Sequence, residues 1–206
     1  SDEIKIELSV EGREKSHLLS LDSRINSLNN NVTIKIKKAN YYLKKGNLQK
    51  AIEGYESALE IDILNNPARL SLANLYYQNQ NFNKAEEAFK TVIKQESAYG
   101  PVYFSLGLLY AELNRIDDAI EQMKNAIDRM PENTRVYYNL SLLYDKKQDF
   151  RNVEKTLIEG LEIHATNESL LYALAYHYSN TNQTEKAINV LERLIELYPN
   201  NSQYIS

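Results

Sequence analysis

The chain has 206 residues, 43% apolar and 25% charged, which supplies enough apolar side chain for a core and leaves no signature of global disorder. Six Gly and four Pro are too few for an all-β or loop-rich design, and a net charge of −4 points away from the dense positive surface that nucleic acid demands. Without Cys there is no disulfide, thiolate metal site or covalent haem attachment, and no apolar run approaches the ~18 residues of a membrane span.

In chain order, residues 2–10 (DEIKIELSV) alternate apolar and polar, so residues 1–12 are expected to form an extended or disordered N-terminal arm, with a short strand as the other option. Leu18, Leu21, Ile25 and Leu28 then recur at helical spacing within residues 13–28. Gly12 lies 34 residues before Gly46 and Leu21 lies 34 before Tyr55. The segment 13–31 therefore reads as an amphipathic capping helix with a linker, the second helix of a degenerate half-repeat.

From Val32 a 34-residue period holds through five units without insertion, covering 32–65, 66–99, 100–133, 134–167 and 168–201. The third unit is the clearest: Tyr103, Leu106, Gly107 and Tyr110 are followed by Ala119, Met123, Ala126 and Pro131. One period later stand Tyr137, Leu140, Ser141 and Tyr144, and one more gives Leu171, Leu174, Ala175, Tyr178, Ala187, Leu191, Leu194 and Pro199. Earlier units offer Leu72, Ala73, Tyr76, Ala85 and Phe89, then Ala39, Tyr42, Gly46, Ala51, Tyr55 and Ala58. Spacings of three and four put each set on one helical face, and the polar stretch Asn114–Asp117 reads as a tight turn between antiparallel helices. Neither helix buries its stripe alone, so neighbouring hairpins must stack. Residues 202–206, with Tyr204 and Ile205, would open a sixth unit; the second helix of the fifth, through Leu191, Leu194 and Ile195, is expected to lack a cap, as in a piece of a larger protein.

These columns resemble the tetratricopeptide repeat family over residues 32–201: a large residue, Leu-Gly/Ala, Tyr, Ala, an aromatic, Ala and Pro at fixed offsets. The resemblance implies an all-α fold, a right-handed α-solenoid of antiparallel helix pairs. Departures are Lys35 and Lys38 for large apolar residues in the first unit, Val153 and Gly160 for the two alanines of the fourth, and Ser97 and Ala165 for the closing proline.

No catalytic signature accompanies the repeats. His17, His164 and His177 lie far apart and read as surface or packing residues; there is no Gly-rich phosphate loop and no nucleophile with a base. The pairs Glu86-Glu87 and Asp117-Asp118 sit near helix starts, where negative charge suits the dipole. The run Lys35, Lys37, Lys38, Lys44, Lys45 and Lys50 reads as a solvated face, with a patch for an anionic partner as the sharper alternative. The chain is thus expected to be no enzyme, to need no cofactor or metal, and neither to bind nucleic acid nor to insert in a membrane. Its Asn-, Lys-, Ile- and Tyr-rich composition suggests an AT-rich bacterial genome and does not decide between the cytoplasm and the periplasm or envelope.

The resemblance also implies where a partner sits, since in this family positions 2, 5, 9, 12 and 13 of each unit face a concave groove. Position 5 holds Ile36, Leu70, Phe104, Tyr138 and Tyr172; position 9 holds Asn40, Asn74, Leu108, Leu142 and Tyr176; position 12 contributes Leu43 and Tyr77. An apolar ladder of this kind marks a binding patch for a protein or peptide, with Asn40 and Asn74 able to bond a peptide backbone; the alternative is that the ladder seals first helices together. The basic clamp some family members close on a chaperone's C-terminal carboxylate is not matched, because its positions hold Ile36, Asn40, Ser71, Pro101 and Ser105 and only Asn40 fits. A rival expectation is self-assembly into a homo-oligomer through the uncapped fifth unit or the N-terminal arm.

Overall fold

Apolar stripes three and four residues apart become ten α-helices among the residues described by the computed structural model, which are 2–201, with side chains from Gly12 onward except Leu18. They are α1 (Asp2–Lys44), α2 (Leu48–Ile61), α3 (Asn66–Gln78), α4 (Phe82–Gln95), α5 (Gly100–Glu112), α6 (Ile116–Arg129), α7 (Thr134–Lys146), α8 (Phe150–Ile163), α9 (Glu168–Asn180) and α10 (Thr184–Leu197). No strand occurs among the described residues. The packing divides into two compact units, one ending at Ala88 and one beginning at Phe89, with the division inside α4.

The N-terminal segment differs from the expectation of an arm followed by a separate capping helix. From Asp2 to Lys44 the backbone is one helix of 43 residues, and it includes the first helix of the first repeat. Two physical reasons account for this. A lone strand over 2–10 would leave its backbone groups without a ladder, whereas a helix satisfies them within itself. Further on, Asn29–Asn31 hold neither Gly nor Pro, so nothing there stops the helix, and Gly12 alone costs only about 1 kcal/mol. Tyr204 and Ile205, expected to open a sixth unit, lie outside the described residues.

Each hairpin is closed by the same device. The fifteenth residue of every 34-residue unit has a left-handed backbone: Gly46 at φ 73°, Gln80 and Asn114 at 58°, Gln148 at 57° and Asn182 at 59°. The following amide then reaches back five residues to a tyrosine carbonyl, Asn47 to Tyr42, Asn81 to Tyr76, Arg115 to Tyr110, Asp149 to Tyr144 and Gln183 to Tyr178, at 2.8–2.9 Å. This reversal satisfies the carbonyls that a helix end orphans and turns the chain at once into the second helix. In three units the same tyrosine ring also carries a lysine from the second helix, Lys50 over Tyr42, Lys84 over Tyr76 and Lys186 over Tyr178, at 5.1–5.2 Å. In the third unit Arg115 takes that role over Tyr110 at 4.1 Å. Asparagine and aspartate supply the starts: Asn47, Asn65, Asn133, Asp149 and Asn167 each accept a backbone amide of the helix that follows.

Small residues let paired helices approach. Ala39 and Ala51 are fully buried, and a methyl group on Gly54 would come within 2.8 Å of the Ala39 Cβ. Gly160 plays a similar part in the second unit of packing, where an added methyl group would meet Leu170 at 2.8 Å and Tyr137 at 3.0 Å. Around these contacts Phe89, Val92, Leu109, Met123, Leu157, Leu170 and Leu194 are all but inaccessible. Each such side chain contributes about 1.5–3 kcal/mol on burial. The closing proline proves dispensable because the carbonyl of its position is held by others. Ile63 receives Arg69, Ser97 receives Tyr103 and Arg129, Pro131 receives Tyr137, and Ala165 receives Arg193.

Position 10 is a core position in the second, third and fourth units, with Leu75, Leu109 and Leu143 at 2%, 0% and 5% exposure, while Tyr41 of the first unit is 57% exposed. In the fifth unit His177 occupies it at 4%, its ring 6.1 Å from Phe150 and 5.7 Å from Tyr178. Burial lowers its pKa below the ordinary 6.5; Lys186 adds to this, and the carboxylates Glu154 and Asp145 oppose it without reversing it.

Two outcomes follow from these features. A left-handed residue other than Gly costs roughly 1–2 kcal/mol, so Gln148→Gly should raise stability by ~1 kcal/mol and Gly46→Ala should lower it by a similar amount, both read from urea midpoints. Above pH 6.5 His177 is neutral whether folded or unfolded; on acidification the unfolded chain takes the proton first, so stability falls as pH drops through 6.5 toward the lower folded value. His177→Gln should flatten that fall between pH about 7 and about 5, measured as the change in urea midpoint.

Candidate functional site

Turn closure fixes the angle of each hairpin, and the repeat then fixes which side chains its first helix turns away from its partner. Two of these first helices, α7 and α9, present four large apolar side chains around one cavity of 230 Å³. From α7 come Tyr138 and Leu142, and from α9 come Tyr172 and Tyr176. Leu142, Tyr172 and Tyr176 are 47%, 47% and 58% exposed, while Tyr138 is half-buried. Val153 and Leu157 of α8, both buried, line the recess beneath, with Ser141, Ala173, His177 and Asp145 completing it. Tyr138 also borders a second recess of 270 Å³ that is polar, lined by Thr134, Arg135, Asn139, Asn167 and Ser169.

The site is held by a charged cluster one layer away. The Tyr178 hydroxyl donates to Glu154 at 2.9 Å, and Lys186 reaches the same oxygen at 3.3 Å. Burial alone would raise the Glu154 pKa, but the hydrogen bonds from Tyr178 and Lys186 outweigh it and the carboxyl lies below its ordinary value. Burial and that same bond push Tyr178 up to about 12. The cluster thus joins α8, α9 and α10, and it holds α9 in place behind Tyr172 and Tyr176.

The remaining candidate groove residues do not join this cavity. In the unit ending at Ala88, Ile36, Leu70 and Asn74 are half-buried, and Tyr77 packs against Phe82 with ring centroids 6.0 Å apart. Asn40 is exposed, but its side-chain oxygen accepts a hydrogen bond from the Tyr55 hydroxyl, so that atom is engaged within the first hairpin. In the unit beginning at Phe89, Phe104 and Leu108 are half-buried, and the Arg135 guanidinium lies 5.6 Å from the Phe104 ring. Of the lysine run, Lys35, Lys38 and Lys50 line a 280 Å³ recess with Tyr42, Glu53, Gly54 and Ser57, while Lys37 and Lys44 are exposed.

Sequence reading missed His177, Asp145, Val153 and Leu157 as parts of the site. The signal for His177 was present in its column, since a histidine aligned with three leucines is a core residue first. Val153 and Leu157 belong to second-helix columns whose members are read as core, and only the spacing of α7 from α9 opens a recess above them. Among the described residues no group of three or more His, Asp or Glu is placed to hold a metal ion, and no helix is long and apolar enough to cross a membrane.

Comparison with known proteins bears on the fold. Models of the tetratricopeptide repeat match residues 42–107, 104–151 and 168–201. The chain is similar to the crystal structure of a MamA protein, with a TM-score of 0.74 and 20% identity over 84% of this chain and 95% of that one. It is similar to YrrB, described as a TPR protein with an unusual peptide-binding site, with a TM-score of 0.66 and 18% identity over 83% and 88% of the two chains. A tetratricopeptide repeat protein from Parabacteroides merdae gives 0.75 and 17% over 85% and 70%. Identities this low speak for the fold alone. One stretch of 43 residues is 51% identical to an NAD kinase of Flavobacterium johnsoniae, but the match covers 21% of this chain and 15% of that protein's length, too little to carry an activity. The three family matches and the shared helical-hairpin architecture agree: the chain belongs to the tetratricopeptide repeat family, whose members bind protein or peptide partners.

Proposed function

We propose that this chain is a non-catalytic scaffold that holds a segment of a partner protein on the α7–α9 face. The observation that carries this reading is the group Tyr138, Leu142, Tyr172 and Tyr176, four large side chains that leave apolar surface open around a preformed recess. None of the turn or core contacts described above requires an aromatic residue at positions 5 and 9 of the fifth unit. Aromatic side chains at such places are the usual anchors of a protein interface, because they offer large area at a low cost in conformational entropy.

Size favours a side chain over a free small molecule. Pockets for drug-sized ligands run from about 300 to 1,000 Å³, and 230 Å³ falls below that range. The recess accordingly suits one large apolar or aromatic side chain of a peptide. The neighbouring polar recess, reached across Tyr138, offers Arg135, Asn139 and Ser169 to the backbone of the same segment. A segment lying across Tyr138 thereby meets apolar surface on one side and hydrogen-bonding groups on the other.

Peptides selected for binding to the intact chain should be enriched in a single Phe, Tyr, Trp or Leu. By isothermal titration, Tyr138→Ala or Tyr172→Ala should weaken the selected peptide by ~2 kcal/mol with helicity unchanged. Affinity unchanged when both are replaced would place the binding surface elsewhere.

A further inference from the structure

Two joints between successive units carry the same three groups. The position-11 tyrosine of one unit donates its hydroxyl to a glutamate on the second helix of the unit before, Tyr178 to Glu154 at 2.9 Å and Tyr76 to Glu56. A lysine from the tyrosine's own second helix covers its ring, Lys186 over Tyr178 at 5.1 Å and Lys84 over Tyr76 at 5.2 Å. Lys186 also reaches the Glu154 carboxylate at 3.3 Å. Hydroxyl and ammonium thus make a donor pair for one carboxylate.

The first unit repeats that pair without the acid. Lys50 lies over Tyr42 at 5.1 Å, yet among the described residues no second helix precedes Tyr42 to supply a glutamate. The pair instead borders the 280 Å³ recess. Positions 4 and 7, buried as Tyr103 and Leu106 in the third unit, are here Lys35 and Lys38, and both line the recess. Three ammonium groups therefore surround it against one lining carboxylate, Glu53, which already accepts the Gln49 amide at 3.0 Å. Like charges gathered in this way repel, and a bound anion relieves the repulsion. Both internal precedents are glutamates carried on a helix, which fixes the chemistry of the occupant. We propose that this recess binds a carboxylate side chain presented by a helical segment of an acidic partner protein. Lys50 and the Tyr42 hydroxyl act as the paired donors, and Lys35 and Lys38 add charge. These residues stand at positions 4, 7, 11 and 19, apart from the groove positions 2, 5, 9, 12 and 13.

A blocked, alanine-based helical peptide with two glutamates one turn apart, titrated into the full chain, tests this. It should bind about tenfold more tightly than the same peptide with glutamines, and salt should weaken it. Lys35→Gln combined with Lys38→Gln should raise its Kd about tenfold. Lys37→Gln combined with Lys44→Gln removes the same charge from exposed sites outside the recess and should leave the Kd within about threefold. Circular dichroism should show unchanged helicity in both variants. Equal binding of the glutamine peptide, or equal loss in the two double variants, overturns the proposal. Sedimentation equilibrium should find the chain at 23.8 kDa under the titration conditions. Glu192 of α10 stands at position 25, as Glu56 does, so a dimer that Glu192→Gln dissociates would give the recess to a second copy and overturn the assignment to a partner.

Discussion

The architecture depends on one backbone reversal repeated five times, a left-handed residue followed by an amide that bonds a tyrosine carbonyl five residues back. That bond sets where each first helix stops, and the second helix starts at the seventeenth residue of every unit as a consequence. With both ends fixed, the small side chains at Ala39 and Gly54, or at Gly160, meet their partners at close range without adjustment. Position 11 is accordingly tyrosine in all five units for its place rather than its carbonyl, which any residue could supply. In four of the units, those of Tyr42, Tyr76, Tyr110 and Tyr178, a lysine or arginine at the start of the returning helix covers its ring, so one residue marks the turn and ties the two helices together.

Features generated by that periodicity were legible in the sequence, because each residue in a column has the same neighbours in every copy. The columns of Ala39, Ala73, Gly107 and Ala175, and of Ala51, Ala85, Ala119 and Ala187, announce close helix approach before any coordinate is known. The N-terminal segment lies outside the period, and there the reading failed. Leu21 and Gly12 fall in phase with Tyr55 and Gly46, yet phase alone does not make a hairpin; a turn needs a residue that tolerates a left-handed backbone at the right place. Asn29–Asn31 could have supplied one, but Leu28 and Val32 keep their helical spacing across that triplet and α1 runs on.

The candidate site was half legible for a related reason. Tyr138, Leu142, Tyr172 and Tyr176 stand at positions the family resemblance assigns to a groove, and they do gather around one recess. Ile36, Leu70, Phe104 and Leu108 occupy the same positions and are half-buried, as Tyr138 is, whereas Leu142, Tyr172 and Tyr176 are exposed, so position within the repeat does not by itself decide exposure. Val153 and Leu157 beneath the α7–α9 face, with a histidine in a leucine column beside them, make a floor that sequence columns describe only as core.

The α7–α9 face is built on residues held from behind by Glu154, Tyr178 and Lys186, so its shape is prepared before anything binds and little ordering entropy is spent on contact. The stretch of α1 from Gly12 to Asn31 is the opposite case: its described side chains are exposed and it is rich in Asn, a poor helix former, so little side-chain packing prepares its shape.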